Sequence, residues 1–246
     1  MITPVRITYM SKLIRALTLS LSVATLGIVP SAASGQVVVG HTPETSPFHD
    51  IDANQRITLF GGYFKAQGDG LQTTPQSGPA FGLRYDLPVA GPADFFVRFQ
   101  RVNSNRFAYN PTLPAATRSL GRQSLALYDG DLGFALNLTG RRTWHGLIPN
   151  INFGLGIVSA SGTTKNDPYS FGTQFAFSTG IGIRYNPSNS YEIRLDAGPT
   201  YYQNHYPPAY FVAPTGSTAL LDNTASRSGY QHSMNYTAGL SIPIFR

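Results

Sequence analysis

The 246-residue chain contains no cysteine, so it has no disulfide framework and no thiolate metal site. Charged residues make up 12% of it, about half the usual share of roughly 25%. Lysine is nearly absent, and arginine carries most of the positive charge. Disorder needs high charge and few aromatics; here aromatics reach 12%, so the composition is that of a folded chain. After the N-terminal region no stretch holds 18 consecutive apolar residues, which excludes a membrane-spanning helix there.

What is present begins with a leader. Arg6, Lys12 and Arg15 form a basic region, and Ala16 to Ile28 is a run of apolar and small residues. Pro30 breaks the run, and Ala33-Ser34-Gly35 supplies small residues before a cut at Gln36. The run is shorter than the roughly 20 residues of a membrane anchor helix, so residues 1–35 read as a secretory signal peptide cleaved near Gly35. Met10 would also start a complete signal. Three basic residues and no acid leave with this segment, so the net charge of +6 falls to +3. The basic balance therefore belongs partly to the discarded leader and implies no nucleic-acid partner. Residues 36–53 read as a periplasmic lead-in and 54–246 as the folded domain.

That domain is built on period-two alternation, the pattern of strands with one apolar and one polar face. In 171–185 the odd positions include Phe171, Phe175, Phe177, Ile181, Ile183 and Tyr185; the even positions are Gly, Gln, Ala, Ser and Arg184. The next strand, from Tyr191 to Tyr201, sets Ile193 and Leu195 against Glu192, Arg194 and Asp196. Between them Asn186-Pro187-Ser188-Asn189-Ser190 is turn chemistry, so the two form a hairpin. Six more alternating segments occur at about 55–66, 78–87, 95–103, 122–138, 149–159 and 230–245.

A soluble sandwich also alternates. Two features favour lipid as the solvent. The polar faces combine small residues with mid-strand charges, which suits a cramped interior better than a water-facing surface. The apolar faces have aromatic ends and aliphatic middles: Tyr191 and Tyr201 bracket Ile193 and Leu195. Aromatic girdles at two membrane interfaces produce that arrangement. If both termini face the periplasm, the short turns fall at 88–94, 139–148 and 186–190, and the outer loops at 67–77, 104–121, 160–170 and 203–229. Lipid-exposed strands leave no open edge, so the sheet must close.

The last strand, Tyr236-Thr237-Ala238-Gly239-Leu240-Ser241-Ile242-Pro243-Ile244-Phe245-Arg246, resembles the amphipathic terminal strand of small bacterial outer-membrane β-barrel proteins, such as the transmembrane domain of outer membrane protein A. Those proteins usually end on an aromatic residue, whereas Phe245 is here penultimate. The resemblance covers the mature chain by pattern. It implies an all-β, antiparallel up-and-down transmembrane β-barrel of eight strands, or ten if 203–229 hides a further hairpin. It implies a Gram-negative outer-membrane location, insertion by the barrel assembly machinery, and a monomer surrounded by lipid and lipopolysaccharide.

An eight-stranded barrel is just wide enough for side chains to fill. The inward charges Arg84, Asp86, Arg98, Asp131, Arg184, Glu192, Arg194 and Asp196, with Arg56, are therefore expected to pair and plug it. Arg101, Arg106, Arg118 and Arg122 flank the second outer loop and are candidates for lipopolysaccharide phosphates, which arginine binds bidentately. Asp129 and Asp131 point the same way, as an acid–base pair would, but as strand charges they are answered by arginines. His232 and Ser233 are adjacent and so face opposite sides of a strand. His205, Ser217 and Asp222 in the last loop imitate a lipid A acyl-modifying site only loosely, and His41, His49, Asp50 and Asp52 match no familiar metal spacing. The expectation is a non-enzymatic barrel without cofactor or metal, working through its outer loops. The alternatives are a narrow pore for small or apolar solutes and a lipid A-modifying enzyme.

Overall fold

The computed structural model describes residues 46–52, 54–162, 164–188 and 190–245. The expected signal peptide and residues 36–45 of the lead-in lie outside the described residues. In chain order the strands are β1 Phe48–Asp50, β2 Gln55–Ala66, β3 Gly78–Ala90, β4 Ala93–Tyr109, β5 Ser119–Asn137, β6 Arg142–Trp144, β7 Leu147–Ser161, β8 Thr173–Ser188, β9 Tyr191–His205 and β10 Ser228–Phe245. Eight of them close on themselves in antiparallel register: β2-β3-β4-β5-β7-β8-β9-β10, with β10 returning to pair with β2. β1 and β6 form a small ribbon beside this ring, tied to β7 through Trp144 and Leu147.

Each strand expected from alternation is present, and 55–66 coincides with β2. Three connections differ. Much of 104–121 is strand, because β4 and β5 continue as a tall hairpin with a loop at 110–118. The connection 139–148 contains β6, which recruits part of the lead-in as β1. No further hairpin forms in 203–229, where β9 and β10 extend and a 3-10 helix covers Pro208–Phe211. The barrel therefore has eight strands and not ten.

Closure pairs both edges of each of the eight ring strands, and the distribution of side chains shows which solvent surrounds the ring. Along the lower part of the barrel the outward positions are apolar and exposed: Leu59, Leu83, Val97, Leu132, Leu155 and Leu195 among them. The inward positions there are mostly polar and buried, with Phe96, Ala135 and Ile148 set among them. Higher up the polarity inverts. Lys65, Arg101, Asn103, Ser124, Thr173 and His205 now point outward and are exposed. Phe64, Val102, Leu127, Val158, Ala176 and Tyr202 point inward and form one apolar cluster. A barrel in one solvent has no reason to exchange its two faces along its own axis. The lower band matches hydrocarbon outside, and the upper part has the inside-out pattern of a water-soluble barrel. The level of Tyr63, Phe81, Tyr128 and Tyr201 marks the boundary, where aromatic rings are favoured.

The two ends also differ. β3 and β4 are joined through Gly91 and Pro92, where Gly91 takes a φ of 53° that glycine adopts without steric cost. β8 and β9 are joined as tightly. At the opposite end the connections are long: 67–77, 110–118, 162–172 and 206–227. Short periplasmic turns and long extracellular loops are the rule for such barrels, so the apolar-filled end faces outward from the cell.

Candidate functional site

Even-numbered residues of β2, β3, β4, β8 and β9 face the lumen, and they stack in layers. The floor layer, nearest the termini, holds Arg56, Asp94, Arg184 and Glu192. Arg56 donates to Asp94 at 2.9 Å, and Arg184 lies 3.3 Å from the same carboxylate. Asn137 joins them, accepting from Arg184 at 3.1 Å and donating to Asp94 at 3.3 Å. Glu192 approaches both arginines at 3.7–3.8 Å.

In the middle layer Arg84 donates to Asp86 at 2.9 Å, and Arg194 donates to Asp196 at 2.6 Å. Asn152 accepts from both arginines and donates to Asp196, linking the two pairs. The guanidinium of Arg84 also lies 3.8 Å from the centre of the Phe96 ring, an inward aromatic that completes the filling. In the third layer Arg98 makes two hydrogen bonds to Asp131, 3.0 and 2.6 Å, and Ser178 adds a third at 2.6 Å. Room for this layer comes from Gly154. A Cβ there would lie 2.6 Å from Ser178 Oγ and 3.0 Å from Asp131 Oδ2. Asp129 sits 3.8 Å from Arg98, and neither of its oxygens accepts a hydrogen bond.

Above these layers Gln100 donates to Asn235 and Asn235 to Thr200. Then comes the apolar cluster, capped by loop residues. Phe171, Tyr210, Phe211 and Leu220 are drawn down from the third and fourth outer loops onto Val102, Leu127 and Tyr202. Arg106 of β4 is 2.6 Å from Asp167 of the third loop, with both side chains buried, and Tyr210 donates to the other Asp167 oxygen at 2.8 Å. Tyr206 donates to Asp69 of the first loop, which also accepts from Thr73 and Thr74. Burial raises the phenols of Tyr169, Tyr206 and Tyr210 above their ordinary range, and the nearby carboxylates Asp69 and Asp167 push the same way.

No protein-family model matches the sequence, and no curated protein matches it. Among solved structures, Neisserial surface protein A is similar at 16% identity over 77% of this chain and 97% of that one, with a TM-score of 0.44. The attachment invasion locus protein Ail of Yersinia pestis is similar at 12% identity over 78% and 100%, with a TM-score of 0.36. The outer membrane enzyme PagL is similar at 13% identity over 77% and 99%, with a TM-score of 0.37. These likenesses are remote, and the closed ring, its apolar exterior and its inverted upper half carry the assignment. The fold is that of a small outer-membrane β-barrel.

Within this barrel Arg84, Asp86, Arg98, Asp131, Arg184, Glu192, Arg194 and Asp196 all lie in the lumen with Arg56, divided among three separately paired layers. Asp94 and Asn137 join the floor layer and Asn152 the middle layer, and they were not read from the sequence as members. Asp94 fell in a segment read as a turn, although it shares parity with Arg98 and so points inward. The lipopolysaccharide candidates divide. Arg101 and Arg122 are exposed on the outer wall, Arg101 within 6 Å of the Phe81 and Tyr128 rings and Arg122 near Phe107. Arg118 is partly exposed and donates to the carbonyls of Thr218 and Ala219. Arg106 is a correction: it is buried in the cap against Asp167 and cannot touch lipid, because β4 extends through it with inward parity.

The arrangements that imitate catalytic sites are taken apart by the geometry. His232 is exposed on the outer wall, whereas Ser233 is buried and bonded to Tyr202. Ser217 accepts from the Ala115 amide and Asp222 from the Thr224 amide, and no hydrogen bond joins them to His205 among the described residues. Asp129 and Asp131 are sealed beneath the cap. Of the four residues considered for a metal, His41 lies outside the described residues and Asp50 pairs with Arg142.

Proposed function

We propose that this protein is a non-enzymatic integral barrel of the bacterial outer membrane whose working surface is its extracellular end. The sealed interior is the observation that carries the reading. The cavity at the middle and third charged layers amounts to about 20 Å³, close to the room of one water molecule. The cap adds a second seal of aromatic side chains. A solute pathway along the axis would need both to be displaced together.

Support for a working outer end comes from its construction. The second and fourth loops are stitched by Ala115 to Ser217 and by Arg118 to Thr218 and Ala219. The third and fourth are anchored at Asp167. Such loops are held in one arrangement, which lowers the ordering cost of binding. On the outer wall Arg101 stands at the aromatic boundary beside Tyr128, at the depth of lipid phosphates, while Arg122 stands six residues higher on β5 opposite Phe107, with Arg118 in the loop beyond. The reading assigns these three to lipopolysaccharide headgroups.

Three measurements test it. Planar bilayers containing the protein are expected to show no discrete conductance; stable single-channel steps would overturn the sealed-barrel reading. Lipid A mass spectra are expected to be identical with and without the protein, and changed acylation would establish an enzyme. Replacement of Arg101 and Arg122 by glutamine is expected to weaken lipopolysaccharide binding without altering the fold, and unchanged binding would remove the headgroup assignment.

A further inference from the structure

The ribbon of β1 and β6 is the part of the fold that the outer-end reading leaves without a role. β6 turns into β7 through His145 and Gly146, with φ of 50° and 78°. Positive φ at both central residues matches the twist of the tightest hairpin turns, so β6 continues the sheet at the start of β7. β1 adds to the far edge of β6, pairing Phe48 with Trp144, His49 with Thr143 and Asp50 with Arg142. Two more backbone hydrogen bonds bracket these pairs. The His145 amide donates to the Pro47 carbonyl at 2.8 Å, and the Ile51 amide donates to the Arg141 carbonyl at 2.9 Å. The lead-in from Pro47 to Ile51 is thereby tied to the barrel.

Register decides which way the ribbon faces. Residues opposed across an antiparallel pair carry their side chains on the same face. Tyr185 opposes Leu147, Leu147 opposes Trp144, and Trp144 opposes Phe48. These four make one lateral row across β8, β7, β6 and β1. Tyr185 ends the outward series of Ile181 and Ile183 on β8, which belongs to the lipid-facing wall. On the ribbon Thr143 is buried on the opposite face, whereas Phe48 and Trp144 are 41% and 49% exposed. Single apolar residues scattered over a surface need no explanation, but an in-register row that prolongs the lipid-facing wall does. Large aromatics at the edge of an apolar band are the side chains of a membrane interface, apolar on one side and wet on the other. The same face carries Asp50 and Arg142, an exposed ion pair at 3.2 Å that suits headgroups and not hydrocarbon.

We propose that the β1–β6 ribbon is seated in the periplasmic leaflet of the membrane, as a wing of the barrel wall that takes phospholipid against Phe48 and Trp144. The two rings meet the glycerol and the upper acyl carbons, and Asp50 and Arg142 meet the headgroups. The seat rests on the outer-membrane reading and adds to it a lipid contact outside the closed ring. On this assignment the lead-in strand, expected in the periplasm, is membrane-bound.

Trp144 is the single tryptophan of the chain, so its fluorescence reports on the ribbon without a label. The mature protein is refolded into phosphatidylcholine vesicles whose acyl chains carry bromine either near the carbonyl end or near the chain terminus. Trp144 emission is expected to shift to the blue of the urea-unfolded chain and to lose more intensity to the shallow bromines than to the deep ones. Trp144→Phe combined with Phe48→Trp moves the reporter to β1, and the same preference for shallow bromines is expected. Trp144→Phe combined with Ile181→Trp moves it to the middle of the apolar band, where the deep bromines should quench more. This last chain separates two failures. Quenching retained in it but missing at Trp144, or missing in the Phe48→Trp chain, leaves the barrel in the membrane and overturns the seat. Quenching missing in all three overturns the membrane reading and the seat with it. Heat-dependent gel mobility checks closure of each chain. The wild type carries no substitution, so its own emission decides even where a variant fails to close.

Discussion

Asp129 and Asp131 lie two residues apart on β5, face the same lumen and are equally buried, so replacing each by asparagine isolates the worth of a partner. Asp131 accepts three hydrogen bonds, two from Arg98 and one from Ser178. Asp129 accepts none and shares Arg98 at 3.8 Å. The lumen network contains five arginines, Arg56, Arg84, Arg98, Arg184 and Arg194, against six carboxylates, Asp86, Asp94, Asp129, Asp131, Glu192 and Asp196. One acid is in excess, and neither oxygen of Asp129 has a donor. Breaking a buried pair by removing one partner costs about 3–5 kcal/mol. Arg98 keeps Asp129 nearby and is 14% exposed, so Asp131→Asn belongs at the low end, about 3 kcal/mol. With a urea slope of about 2 kcal/mol/M, the midpoint falls by about 1.5 M. Asp129→Asn removes the surplus charge at nearly constant volume and should change stability by less than about 1 kcal/mol. The assay is equilibrium urea unfolding of the barrel in lipid vesicles, followed by circular dichroism and by the heat-dependent gel mobility of closed barrels. If Asp129→Asn destabilises as much as Asp131→Asn, burial rather than hydrogen bonding sets the energetics of the lumen, and the layered account is wrong.

Three further outcomes follow from the same geometry. Ile181 is 67% exposed in the middle of the apolar band, so Ile181→Arg should cost about 2–4 kcal/mol in vesicles, and a neutral result would refute the position of the membrane. Asp167→Asn strands Arg106 and releases Tyr210, so limited proteolysis should cut the loops at 162–172 and 206–227 while the membrane band stays protected; unchanged protection would show that the apolar cluster alone holds the cap. The phenols of Tyr169, Tyr206 and Tyr210 are raised by burial, then by the adjacent carboxylates. A raised folded value stabilises the cap fully below the unfolded phenol value of about 10, and that contribution is lost as pH climbs through the folded value. Loop protection should therefore persist through neutral pH and fail at strongly alkaline pH, and loss of protection below about pH 9 would contradict the sign of the shift.

The membrane band was legible in the sequence because lipid enforces one rule on every strand. Each outward residue must be apolar and each inward residue must be small or paired, so period two shows directly, as in Tyr191–Tyr201. Above the membrane that rule lapses. Water accepts Asn103, Phe107 and Tyr230 on the outer wall alike, and the inner wall turns apolar, so alternation fades just where β4 and β5 continue. The segment 104–121 reads as loop for that reason, and Arg106 reads as a surface cation. Strand parity holds more information than hydropathy here. Arg98, Gln100, Val102, Ser104 and Arg106 are all even, and once β4 is extended through Tyr109 each must face the lumen. Parity does not supply the partner. Asp167 arrives from a loop 61 residues away, a separation that no local pattern encodes. The same holds at the other end, where Asp50 meets Arg142 across 92 residues to pair β1 with β6. The sequence thus reveals which wall a residue faces wherever a strand is recognised. Which loops fold back to close the two mouths depends on tertiary contacts, and those mouths are where the protein's specific work is assigned.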